Sequence, residues 1–142
     1  MICQLNHATI WSMTARQYYE SIRADREAWR DSMPRCCMVC GHVGHHECES
    51  VHFALEVHEI VTRAQAPRSW GHRCNYLLTH PVCHPKIQGK PLAVQLAYKL
   101  RYDPDHYSLR HIRRVLKRGR GAVVVTEADV RREYEKIFGA KP

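Results

Sequence analysis

The sequence predicts an α+β protein in which a small zinc-stapled core of two short strands carries flanking N- and C-terminal helices. Three observations predict it. Six of the seven cysteines and eight of the eleven histidines fall between Cys36 and Gly89. Inside that stretch two segments read as short strands, and outside it apolar residues recur at helical spacing. The 142 residues, 44% hydrophobic and 25% charged, suffice for one modest core. Residues 1–142 therefore read as a single domain, with a helical segment at 1–35, a metal core at 36–90 and a basic helical extension at 91–142.

Each element has its own signal. Thr14 followed by Gln17 has the form of a capping box, and Tyr18, Ile22 and Trp29 share one face of a helix that Met33-Pro34 ends. Phe53 to Val61 alternates as a strand, with Phe53, Leu55, Val57 and Glu59 on one face and Ala54, Glu56, His58 and Ile60 on the other. Thr62 to Arg73, with Pro67 and Gly71, reads as a loop. Asn75 to Thr79 is a second short strand, and His80 to Pro85 leads into a turn or short helix.

Pro91 suits the first position of a helix from Leu92 to Tyr102, whose stripe is Leu92, Leu96 and Leu100. Asp103-Pro104-Asp105 breaks it. A basic helix from roughly Ser108 to Arg118 carries Arg110, Arg113, Arg114, Lys117 and Arg118. Gly119 and Gly121 end that helix, and Ala122 to Val125 is a brief strand. Thr126 with Asp129 caps a last helix to Phe138, with Gly139 just past its end.

Composition narrows the function classes. Twenty-two Lys and Arg against fourteen Asp and Glu give a net charge of +8, which favours a polyanionic partner such as DNA. No apolar run approaches the ~20 residues of a membrane span. The N-terminus lacks the charged start and apolar block of a signal peptide, so a cytoplasmic protein without membrane contact is expected. An odd cysteine count in such a protein argues for metal rather than disulfides.

The strongest local signal is Cys37-x-x-Cys40 with His80-x-x-Cys83, two pairs about forty residues apart. They can supply a Cys3His set to one tetrahedral structural Zn2+. Cys36 competes with Cys37, and only the spacing favours Cys37. A second set lies between the pairs: Glu56, His58 and Glu59, then Asn75, then His84 directly after Cys83. If Cys83 turns toward zinc, its neighbour His84 can turn toward the strands that carry His58 and Asn75. Two imidazoles and an amide around one point can hold a divalent ion that keeps open positions for water and phosphate.

These residues resemble the HNH (His-Me finger, ββα-metal) endonucleases, in the subgroup with a zinc-binding Cys pair on each side of the motif. The matching stretches are Cys37-Met-Val-Cys40, Leu55-Glu-Val-His-Glu-Ile60, Asn75-Tyr-Leu-Leu78 and His80-Pro-Val-Cys-His84, about a third of the chain. The segment from Pro91 to Tyr107 more loosely resembles the C-terminal parts of small phage and prophage HNH proteins. The resemblance implies a treble-clef-like ββα-metal core and a metal-dependent DNA endonuclease that hydrolyses phosphodiester bonds. One divalent ion (Mg2+, Mn2+, Ni2+ or Zn2+) would serve catalysis. By position His58 and His84 match its ligands and Asn75 the central Asn, which braces the loop or joins the metal site. Glu56 matches an acidic position often found before the first His.

Two departures stand out. Glu59 occupies the place of the general-base His, and alternation points it away from His58. His80 stands where the zinc pair usually has Cys. The base is then Glu59, or a nearby His such as His52 or His72. Arg63, Arg68 and the basic helix are the expected phosphate contacts. Two other readings stay open. One is a non-catalytic zinc module that binds DNA and retains the scaffold. The other is a phage accessory protein, acting in the bacterial cytoplasm, whose main task is a phage or host protein partner.

Overall fold

The computed structural model describes residues 13–41, 55–66, 69, 71–116 and 125–139. Helix α1 spans Ala15–Ser32, and its capping box forms as expected. Thr14 Oγ1 accepts from the Gln17 N–H at 3.2 Å, and Gln17 Oε1 accepts from the Thr14 N–H at 2.9 Å. Its aromatic face divides. Ile22 and Trp29 are buried, whereas Tyr18 is 37% exposed. The core meets the helix only from Ile22 onward, with Trp29 against the Tyr76 ring at 5.4 Å between centroids.

Strands β1 (Glu56–Glu59) and β2 (Tyr76–Thr79) pair antiparallel, with Glu56 opposite Thr79 and His58 opposite Leu77. Both are shorter than the sequence predicts. Past Glu59 the chain bonds to a 3-10 turn, Arg73–Asn75, rather than to a strand. Ile60 N–H reaches the Asn75 carbonyl at 2.9 Å, and Val61 N–H reaches its side chain at 2.7 Å. The other end of the expected strand, Phe53 and Ala54, lies outside the described residues. Every β2 side chain is buried. A four-residue, doubly covered strand shows no alternation, which is why Tyr-Leu-Leu-Thr reads as a plain apolar run.

After β2 come a turn and helix α2 (His84–Ile87), then α3 (Leu92–Tyr102). Pro91 caps α3 instead of opening it; its extended backbone (φ −50°, ψ 145°) places it one residue before the first helical position. The break after Tyr102 is a second 3-10 turn, Pro104–His106. Helix α4 (Leu109–Leu116) is the basic helix, and the expected Lys117, Arg118 and strand residues 122–124 lie outside the described residues. Helix α5 (Glu127–Phe138) has the expected Thr126–Asp129 capping box and ends at Gly139 with φ +84°. It packs along α3, where Phe138 meets the edges of Tyr98 and Tyr102. The architecture is mixed α+β, with helices around a two-stranded antiparallel sheet. Among the described residues no helix is long and apolar enough to cross a membrane.

One buried polar knot ties these layers together. Lys99 on α3 is fully buried, and its Nζ donates to the carbonyls of Arg73 and Tyr76, both at 2.8 Å, and to Asp103 Oδ2 at 2.5 Å. Asp103 also accepts from Trp29 Nε1 at 3.0 Å and lies 2.8 Å from His106 Nδ1. Helix α1, the 3-10 turn before β2 and α3 therefore share one ion pair.

Candidate metal centres

The first centre is built from two turns. Cys37, Cys40, His80 and Cys83 bring their ligand atoms within 4.8 Å of one another. For Zn–S bonds of about 2.3 Å, tetrahedral geometry sets sulfurs about 3.8 Å apart, so the set is closed to near its bound size. Cys40 Sγ already stands 3.5 Å from His80 Nδ1. The backbone prepares the sulfurs: the N–H groups of Val39 and His80 both point at Cys37 Sγ at 3.4 Å. Gly41 closes the first turn by donating to the Cys37 carbonyl at 2.8 Å with φ +75°. A Cβ there would lie 3.0 Å from the Tyr102 hydroxyl, so both conformation and space call for glycine. Met38 N–H donates to Leu78 O at 2.7 Å and docks this turn on β2. Burial, then the adjacent Cys37 and Cys40 sulfurs, push the Cys83 thiol well up. That crowding is what a divalent cation relieves, and the donor set fits zinc. Cys36 stays outside the set, its Sγ 3.6 Å from the Cys37 carbonyl.

A second polar cluster is built around His84, the residue after Cys83. His58, buried on β1, places Nδ1 3.0 Å from His84 Nε2 at the start of α2, the rings edge to face at 4.9 Å. Glu56 Oε2 lies 3.0 Å from His84 Nδ1, and Gln95 Oε1 lies 2.7 Å from His58 Nε2. Burial first, with His84 adding to it, lowers the His58 pKa below the ordinary imidazole value although the Gln95 hydrogen bond works against that shift. His58 is thus neutral near pH 7. Thr79 stands opposite Glu56, and its buried hydroxyl has no hydrogen-bond partner among the described residues.

The remaining expected residues are placed elsewhere. Asn75 is a brace: Oδ1 accepts from Val61 N–H at 2.7 Å, and Nδ2 donates to the carbonyls of Val61 at 2.9 Å and Ser69 at 3.1 Å. Glu59 occupies the opposite face of β1, 3.7 Å from Arg26 on α1 and 3.4 Å from Arg63. It takes no part in the hydrogen-bonded chain of Glu56, His84, His58 and Gln95. His72 pairs with His111 of α4 at 2.9 Å. Among the expected phosphate contacts, Arg110 and Arg114 are exposed one turn apart on α4. Arg113 instead donates twice to the Val125 carbonyl, at 3.0 and 2.6 Å. His52, Arg68, Lys117 and Arg118 lie outside the described residues. Arg113→Met is therefore expected to lower stability by about 1 kcal/mol, the scale of one net hydrogen bond. A thermal melt checks it; a pure DNA contact would leave the melt unchanged.

Gln95 and the Lys99–Asp103 pair are the residues that sequence reasoning missed. Their signal was present: a Gln and a Lys four apart beside the leucine stripe of α3, where a wholly apolar flank would be expected. Comparison with family models, with curated proteins and with solved structures returned no match.

Proposed function

We propose that the protein is a metal-dependent DNA endonuclease built on a zinc-stapled ββα-metal core. The observation that carries this reading is the convergence of His58 Nδ1 and His84 Nε2 at 3.0 Å, on a strand and on the helix that follows the hairpin. A divalent ion bound there would orient a phosphodiester oxygen, offset the charge that develops at phosphorus and acidify a water molecule. The chain's own groups do the rest. His58 and His84 are the ligands, Glu56 steadies the His84 ring, and Asn75 holds the end of the hairpin in register. Arg110 and Arg114, with the net charge of +8, draw the phosphate backbone to the surface.

Plasmid cleavage by purified protein with Mg2+, Mn2+, Ni2+ or Zn2+, run beside His84→Ala, tests the proposal. Wild type should cut with at least one ion. His84→Ala should keep its zinc and its melting temperature and lose cleavage by orders of magnitude. Should it unfold or shed zinc, His84 belongs to the structural centre and the assignment fails. Glu59 favours a second reading, a non-catalytic zinc module that binds DNA, because it stands on the face away from the imidazole pair and between two arginines. No cleavage by wild type under any ion, together with retained DNA binding, would select that module. In either reading Arg110→Gln with Arg114→Gln should flatten the slope of log affinity against log salt by about 1.8, at about 0.9 per phosphate contact.

A further inference from the structure

We propose that Gln95, on α3 and outside the hairpin, is a positioning residue that fixes the tautomer of His58 and thereby makes the His58–His84 pair a preorganised two-nitrogen grip for a divalent cation. This deepens the endonuclease reading and rests on it.

The argument is one of donors and acceptors. A glutamine amide has one accepting end and one donating end. Gln95 Nε2 lies 2.7 Å from the Lys90 carbonyl, which can only accept, so the amide is oriented with Oε1 toward His58. At 2.7 Å from that oxygen, His58 Nε2 must be the nitrogen that carries hydrogen. A neutral imidazole has one N–H, so His58 Nδ1 presents its lone pair to His84. The Glu56 carboxylate accepts from His84 Nδ1, so only His84 Nε2 is left to face His58. Across 3.0 Å the His58 lone pair and His84 Nε2 are joined either by one proton in a hydrogen bond or by one metal cation that takes the place of that proton. Outer acceptors that hold ligand rings in this way orient them and raise their basicity.

The support for Gln95 is itself built. Gln95 is 5% exposed, so protein groups rather than bulk solvent hold its amide. The Lys90 carbonyl that orients it belongs to the tight turn leaving α2, where Gly89 takes φ +76° and Lys90 N–H donates to Ile87 O at 3.1 Å. The helix that starts with His84 and the acceptor that orients His58 are therefore joined by one short turn. Gln95 is 37 residues from His58 in sequence, and only packing of α3 beside the hairpin brings them together.

Two measurements on the zinc-loaded full-length protein test the proposal. Long-range 1H–15N correlation should show His58 as the Nε2–H tautomer in wild type and a mixture of tautomers in Gln95→Met. Mn2+ binding, read from the EPR signal of the free ion, should weaken about 10–100-fold in Gln95→Met. His84→Ala marks how much of the bound Mn2+ belongs to this site. His58 observed as Nδ1–H in wild type overturns the proposal without any variant. Wild-type Mn2+ binding that Gln95→Met leaves unchanged overturns Gln95 alone. Wild type that binds no Mn2+ lost in His84→Ala overturns this inference, whereas the endonuclease reading falls only if plasmid cleavage fails with all four ions.

Discussion

Cys83→Ser or Cys37→Ser is expected to release zinc and to lower stability by several kcal/mol, a large share of the about 5–15 kcal/mol available to a domain. Both sulfurs are fully buried, and serine in their place is a poor ligand that also leaves a buried hydroxyl. The centre joins the turn after α1 to the turn before α2. Without the metal that junction rests on a few contacts, chiefly the Met38 to Leu78 backbone bond at 2.7 Å. The loss should therefore spread into the hairpin and disturb the His58–His84 pair. Metal analysis and thermal melting of the variants, beside chelator-treated wild type, check this. Wild type that is folded and holds no zinc would remove the claim.

Asp103→Ala should cost about 3–5 kcal/mol, the range for breaking a buried ion pair from one side. Lys99 would be left at full burial with only two carbonyls and the Trp29 face, 4.8 Å from Nζ, to receive its charge, and burial, which already lowers its pKa, would then push it toward the neutral amine. Trp29 Nε1 would also lose its acceptor. Lys99→Met with Asp103→Leu removes both charges together and should recover much of the loss. The pair also sets an acid limit. Burial works to raise the Asp103 carboxyl, but Lys99, with His106 and Trp29, overrides it and holds the group below its ordinary value. A folded pKa below the unfolded one, about 3.9, gives stability that is present above about pH 4. It is lost as pH falls through the lower folded value. Urea midpoints should thus show a constant gap between wild type and Asp103→Asn above about pH 4, and a narrowing gap below it.

The sequence alone determined what depends on neighbours in the chain. The capping boxes at Thr14 and Thr126, the α3 stop at Asp103 and the glycine end of α5 all appear where local chemistry places them. The zinc set was equally legible, because a two-residue spacer puts both donors of a turn on one side whatever the rest of the fold does. Alternation along the strand also placed Glu59 on the face away from His58. The strands were legible in position but not in extent, since the end of the ladder at Glu59 is set by Asn75 fourteen residues beyond Val61.

Only the tertiary structure decided which polar side chains meet across that sequence separation. Asn75 became a brace because Val61 and Ser69 turn their backbone groups toward it. Arg113 acquired a backbone partner because the chain returns at Val125 within its reach. Gln95 joined His58, and Lys99 joined Asp103 and two carbonyls, because the fold sets α3 beside the hairpin. A buried polar group must find its partner wherever the fold supplies one, and that search runs through space rather than along the chain.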